Sequence, residues 1–476
     1  MKQALHMHPT HRLAAAVLLA SAALAGCMPA HREAPALASI TAPAAWSTPG
    51  STTASTHQAP INAQWWQAFG DTTLNYHVEA ALVHNTDLLT AGSRLDAARA
   101  QLELSRAALG PTLGATLGVQ AQRALGATGV ATTRVLQPGL QASWEPDLWG
   151  RLHTLASAAQ LRLRASQADR DAVALSISSS TAQTYIGLLA LEAQLAQTRG
   201  TATSRAEALR IARDKAQAGY ASQLQATQAE SEYQGVLQSL PQLQAAIARQ
   251  YNALRLLTGE LPGQRGPADA QPARFAQLQL PSVPVALPSE LLRRRPDLAQ
   301  AESLLAASDA SLQASRAAFL PQVSISASLG ALYINALGYN PASVWSVGGS
   351  VLAPMFDQGR LKAQYDNAAA QRDQAAFAYR GATLAAFGEV ENALIGAERL
   401  QQQMDHATQR RDVLARSLQH AKDRYDAGYA PYLEQLDAQR NLYQTEIEVI
   451  NLRQSQLLNQ LSLYKAMGGG WSADLL

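Results

Sequence analysis

In the stretch Val323-Ser324-Ile325-Ser326-Ala327-Ser328-Leu329-Gly330 every odd position is apolar and every even one is small or polar. An extended chain turns successive side chains to opposite faces, so this period of two makes a strand with one apolar and one polar surface. Leu136, Pro138, Leu140, Ala142 and Trp144 alternate in the same way with Gln137, Gly139, Gln141 and Ser143. Residues 112–122 and 344–353 are similar, although Leu352 breaks the last run. Four strands are therefore expected, near 112–122, 136–144, 322–333 and 344–353, with turn-rich loops at 123–134 and 335–343. Each has about the 9–11 residues that a tilted membrane-spanning strand needs.

The chain on either side keeps a different period. Positions 161, 165, 168, 172, 175, 179, 182, 186, 189, 193 and 196 are Leu, Ala, Ala, Ala, Leu, Ser, Ala, Ile, Leu, Ala and Ala. Spacing of four and three sustained over such a length is a coiled-coil signal, and the small residues let helices approach closely. The run Leu436, Arg440, Tyr443, Ile447, Ile450, Gln454, Leu457, Leu461, Tyr464 keeps the same spacing. No proline falls between 147 and 240 or between 355 and 430. Long helices are expected near 151–217 and 360–426, ended by Gly219 and Gly428, with return helices near 222–258 and 431–467. At about 1.5 Å per residue each long helix is a rod on the order of 100 Å. Helical stretches near 74–109 and 288–319 have the length that, stacked end to end with the return helices, would cover such a rod.

These elements occur twice. Residues 105–113, SRAALGPTL, match 315–323, SRAAFLPQV. Asp147-Leu148-Trp149-Gly150-Arg151-Leu152 matches Phe356-Asp357-Gln358-Gly359-Arg360-Leu361, and Asp214 to Tyr220 matches Asp423 to Tyr429. The offset is constant at 209–210 residues, far longer than a solenoid period, so a whole architectural half is duplicated. The first repeat spans 61–262, a linker 263–287, and the second repeat 288–476.

The first residues point to a compartment. Lys2 and Arg12 precede LAAAVLLASAALA at 13–25, an apolar run too short to span a bilayer and typical of a secretory signal, here 1–26. It ends in Leu24-Ala25-Gly26-Cys27, and Cys27 is the only cysteine. The four residues resemble a bacterial lipobox, which implies an N-palmitoyl and S-diacylglycerol group on Cys27 and, with Met28 rather than Asp behind it, sorting to the outer membrane. Residues 27–60 have the Ala, Pro, Ser and Thr content of an extended tether. A net charge of +2 argues against a nucleic-acid partner, and one cysteine excludes a disulfide framework or a cysteine-rich metal site.

Four strands cannot close a barrel, and an open sheet edge in a bilayer leaves backbone groups unsatisfied at several kcal/mol each. The chain must therefore assemble. Two copies would leave a lumen filled by side chains, whereas three give twelve strands and room for water. The architecture expected is mainly α with a small β part, a coiled-coil α-barrel joined to a trimeric 12-stranded β-barrel.

The Trp65-Trp66-Gln67-Ala68-Phe69-Gly70-Asp71 motif, Arg294-Arg295-Pro296-Asp297-Leu298, Leu436-Asp437-Ala438-Gln439-Arg440 and Tyr464-Lys465-Ala466-Met467-Gly468-Gly469-Gly470-Trp471 together resemble the TolC-type outer membrane factor family. With the lipobox, the likeness is to its NodT-type, OprM-like lipoprotein branch. The resemblance implies a homotrimeric channel-tunnel of a Gram-negative envelope, lipid-anchored in the outer membrane with a periplasmic α-barrel. It also implies docking on a periplasmic adaptor (membrane fusion protein) and an inner-membrane pump of the resistance-nodulation-division class, exporting drugs and other small toxic compounds. By the family pattern the tunnel shuts at the turns around Gly219 and Gly428, with Leu433 and Asp437 at the constriction, Arg440 one turn on and Tyr425 across the turn. Glu434, three residues before Asp437, shares its face. The first-repeat positions matching Glu434 and Asp437 are Gln225 and Gln228, so any acidic ring is expected from the second repeat only. Ala218-Gly219-Tyr220 and Ala427-Gly428-Tyr429 are candidate adaptor contacts, although a glycine after a helix is also a common cap.

No phosphate loop, HExxH or GxSxG motif is present, and the histidines show no ligand spacing, so neither an enzyme nor a cofactor is expected. Two rival readings remain, an exit duct for type I protein secretion and a lipid-tethered periplasmic coiled-coil scaffold. The scaffold accounts for the helices and Cys27 but not for four amphipathic strands.

Overall fold

The computed structural model describes residues 29, 30, 32, 33, 35–47, 62–126, 129–263, 272–335 and 341–471. The signal segment and Cys27 lie outside them. Two compact units emerge among the described residues, and they cut across the repeats: those within 1–40, 94–166 and 300–380 form one, and those within 41–93, 167–299 and 381–476 form the other.

The first unit carries the sheet. Strands β1 (Thr112–Gly126), β2 (Gly129–Trp144), β3 (Gln322–Ile334) and β4 (Ala342–Leu352) pair antiparallel in sequence order. The register sets Leu117 opposite Pro138, Leu140 opposite Leu329, and Leu329 opposite Trp345, so the apolar residues of all four strands share one face. That face is bare: Leu117 is 68% exposed and Trp345 75%. The other face is laced by hydroxyls, with Oγ–Oγ distances of 2.7 Å for Ser324–Ser350 and 2.8 Å for Ser328–Ser346. Beyond its two hairpins the sheet has two free edges, β1 and β4.

The expected loop at 123–134 is instead mostly strand, since β1 and β2 stay paired out to Gly126 and Gly129. The glycines there had suggested a loop, but Val130, Thr132 and Thr133 favour strand, and only the hairpin pairing resolves the conflict. Pro138 sits in a strand with neighbours on both sides, a position that normally needs an N–H donor. The β2–β3 pairing skips residues 137 and 138, and Gly330 lets the backbones close in: a Cβ there would lie 2.6 Å from the Pro138 carbonyl oxygen.

Helices α1 (Thr72–His84), α2 (Thr86–Ala107), α3 (Arg151–Gln217), α4 (Gln223–Leu257), α5 (Pro272–Gln277), α6 (Pro288–Arg294), α7 (Pro296–Ala317), α8 (Arg360–Asp426) and α9 (Tyr432–Ala466) complete the chain. The two long helices fall where the periodicity places them. The helical stretches 74–109 and 288–319 are each broken once, at Asn85 and at Arg295. Pro296 disfavours helical backbone at Arg295, which is extended at the second break. At the first, the Asn85 side chain caps α2 by accepting from the Asp87 and Leu88 N–H groups at 2.9 and 3.3 Å. Helix α5 lies within the stretch expected to be linker.

Both breaks have a use in the second unit. Asn85 Nδ2 donates to the Leu257 carbonyl at the end of α4, and Arg295 Nη1 donates to the Ala466 carbonyl at the end of α9. Two chemically different side chains thus tie the short helices end to end at equivalent positions of the two repeats. The repeat also preserves a close helix approach. Gln250 Nε2 donates to the Thr184 carbonyl beside Gly187, and Asn459 Nδ2 to the Ala393 carbonyl beside Gly396, each at 2.9 Å. Along α3 the heptad positions Ala182, Ile186 and Leu189 are buried, as the spacing requires. Two of the motifs meet in the core, where Trp65 stacks on Tyr464 at 5.5 Å between ring centroids. Asp71 caps α1 and accepts from the Tyr185 hydroxyl at 3.1 Å.

Candidate functional site

The candidate gate residues lie where α3 turns into α4 and α8 into α9, all within the second unit. Each turn is closed by a glycine with φ +77°. Tyr220 N–H bonds to the Lys215 carbonyl and Gly219 N–H to that of Ala216; Tyr429 N–H and Gly428 N–H repeat the pattern on Arg424 and Tyr425. These are Schellman caps, and they account for both glycines without a partner. The residues after them are a different matter: Tyr220 is 87% exposed and Tyr429 81%.

Behind the turns a small apolar cluster holds the two hairpins together. Leu209, Ala212, Ala229, Tyr432 and Leu436 are buried in it, with Tyr233 and Tyr425 packed alongside. Gln225 Nε2 donates to the Tyr425 hydroxyl, and Lys215 Nζ sits 4.8 Å over the Tyr425 ring. Burial raises the Tyr432 pKa above the ordinary tyrosine range, which keeps it neutral.

The charged groups form a chain of pairs. Arg424 Nη1 reaches Glu434 Oε1 across the turn at 2.8 Å. Arg440 Nη1 reaches Asp437 Oδ1 at 3.1 Å on its own helix, and its Nε donates to Glu232 Oε1 of α4 at 2.8 Å. Arg205 Nη2 lies 3.8 Å from the other Glu232 oxygen. Glu232 is therefore clasped by two guanidinium groups, and its hydrogen bond raises the Arg440 pKa further. Burial lowers that of Arg205 from its ordinary value.

Sequence reading singled out Leu433, Glu434, Asp437, Arg440 and Tyr425, and these do lie at one end of one unit. Glu434 and Asp437 are each neutralised by a cation of the same chain. Leu433 is half-exposed. Glu232, Arg205 and Arg424 were missed, and Gln225 was named only as the uncharged match of Glu434. The matched positions Gln225 and Gln228 are uncharged, which gives the first repeat no acidic role by internal symmetry. Glu232 matches Asn441, where no charge drew attention; the signal that could have found it is its place three turns into the return helix, level with Arg440. Among the described residues no group of His, Cys, Asp and Glu could hold a metal ion. Cys27 lies outside the described residues.

The model of the outer membrane efflux protein family matches residues 77–260 and 287–469, the two repeats in turn. The chain is 34% identical over 420 residues to the pyoverdine export outer membrane protein OpmQ of Pseudomonas aeruginosa, covering 86% of this chain and 88% of that one. It is 33% identical over 433 residues to the probable efflux pump outer membrane protein TtgC of Pseudomonas putida, covering 88% of each. The solved structure of the outer-membrane channel OprN superposes with a TM-score of 0.83 at 27% identity, over 93% of this chain and 99% of that one. A duplicated sequence matched once per repeat and a fold shared along the chain leave one assignment: this chain belongs to the outer membrane efflux protein family.

Proposed function

We propose that the protein is the outer membrane channel of a tripartite efflux pump, a homotrimer that passes small molecules delivered by an inner-membrane transporter of the resistance-nodulation-division class through a periplasmic adaptor. The observation that carries the reading is the sheet. It has one bare apolar face suited to lipid, one hydroxyl-lined face suited to a watery lumen, and two edges that only further copies can close. Three copies give twelve strands, a barrel wide enough to conduct. Cys27 carries the lipid that holds the protomer to the same membrane. The turn end of the second unit is the shut periplasmic gate, with Leu433 and Asp437 facing the axis, and Tyr220 and Tyr429 offered to the adaptor.

The test is heat-modifiable migration of the protein from outer membranes, followed by single-channel recording in planar bilayers. A trimer that conducts supports the reading, and drug sensitivity of a deletion strain then assigns the efflux role. A protein recovered only as a monomer without conductance would refute it.

A further inference from the structure

The N-terminal segment has the composition of a passive tether, yet in the first unit its backbone is gripped at five carbonyls between Pro29 and Leu37. Arg316 Nε on α7 donates to the Pro29 carbonyl at 3.0 Å, and the Tyr365 hydroxyl on α8 donates to that of Ala30 at 2.8 Å. Arg372 Nη2 donates to the carbonyls of Arg32 and Glu33 at 3.2 and 2.8 Å. The Arg32 side chain returns the contact with an ion pair to Asp373 at 2.7 Å, and Arg380 donates to the Leu37 carbonyl.

We infer that residues 29, 30, 32, 33 and 35–38 form a docked strap, received by a site on α7 and α8 that is built for this segment of the chain. Three observations converge. Residues 365, 372 and 373, and 380 recur at about two-turn intervals and so share one face of α8. The spacings also agree: the chain from Ala30 to Leu37, which ends in a 3-10 turn over Ala36–Ala38, can cover at most about 23 Å at ~3.3 Å per residue, and α8 from Tyr365 to Arg380 rises about 22 Å at ~1.5 Å per residue. Each donor therefore meets a strap carbonyl in register. Finally, the Arg372 side chain is only 3% exposed. Its other partners, Asp309 at 3.5 Å and Asp373 at 2.8 Å, leave Nη2 to the strap, and without it a buried guanidinium would keep unpaired donors. The strap thus fixes where Pro29 and Ala30 lie on the unit. That point lies near the start of α8, two residues along the sequence from Cys27.

Trypsin tests this directly, because Arg32 is the only Lys or Arg between residues 13 and 93. In the purified full-length protein the Arg32–Glu33 bond should resist cleavage. Losing charge-assisted bonds to two carbonyls should speed cleavage there by about tenfold or more in Arg372→Ala, with Arg372→Lys in between. Asp373→Asn, which removes the Arg32 partner but leaves Arg372 in place, should also speed it. Cleavage rates at sites from Arg94 onward, together with the melting temperature, report whether a variant has simply unfolded. Cys27→Ser should leave Arg32 protected, since the grip is protein on protein whether or not the cysteine is acylated. Rapid cleavage in the wild type, no acceleration in either strap variant, or exposure of Arg32 in Cys27→Ser would each overturn the inference.

Discussion

Replacing Arg440 with alanine should loosen the turn end of the helical unit, and the structure gives the scale. The substitution removes the 2.8 Å Nε bond to Glu232, a second contact of Nη2 to the same oxygen, and the 3.1 Å contact to Asp437. Bonds to charged groups contribute about 1.5–3 kcal/mol when sheltered. The Arg440 side chain is 44% exposed, so solvent screening reduces the net loss to about 1–1.5 kcal/mol. Glu232 is not orphaned, because Arg205 remains 3.8 Å away. A change near 1.4 kcal/mol is about tenfold in an equilibrium, so the ratio of shut to open hairpins should fall by roughly that factor per protomer, and by up to about a thousandfold for three copies that open together. Single-channel recording of the purified protein in planar bilayers reads this as open probability. Glu232→Ala cuts the same link from the other side, and the double variant should open no more than the stronger single one, since both remove one interaction. Unchanged open probability in Arg440→Ala, or strictly additive effects, would refute the idea that this pair holds the hairpins shut.

Two further outcomes follow from the geometry. At Gly468 φ is +90° and a Cβ would lie 1.7 Å from the Arg294 carbonyl oxygen, whereas at Gly219 φ is +77° with nothing within 4 Å. Gly468→Ala should therefore cost more than about 3 kcal/mol and Gly219→Ala only about 1 kcal/mol, a contrast that denaturant midpoints would show. Burial raises the Glu192 pKa in the folded protein, an effect partly offset by the bond from the Tyr251 hydroxyl. The folded state then binds its proton more tightly than the unfolded state, and ionisation costs stability as pH rises through the raised value. Glu192→Gln should match the wild type in melting temperature at acid pH and exceed it increasingly toward neutrality; a difference independent of pH would count against this.

Periodicity located the four strands and the two long helices, because local side-chain geometry enforces each period, and motif matches at one constant offset gave the duplication. The motifs around Trp65, Arg295, Asp437 and Tyr464 pointed to the family for a related reason, since they hold the junctions and turns that the fold reuses. The breaks at Asn85 and Arg295 were harder to read. Asn85 is an ordinary residue in a helical run until the Leu257 carbonyl arrives to be bonded.

What the sequence determined by itself is where the four strands and the two long helices run, because their side-chain periods are local. Only the tertiary structure decided which charges meet. Glu232 and Arg440 are 208 residues apart and sit at unmatched positions of the two repeats, so neither spacing nor internal symmetry pairs them. The same holds for the strap, whose polar and alanine-rich sequence looks like a spacer. Its grip comes through backbone carbonyls, which every residue possesses and no sequence pattern marks.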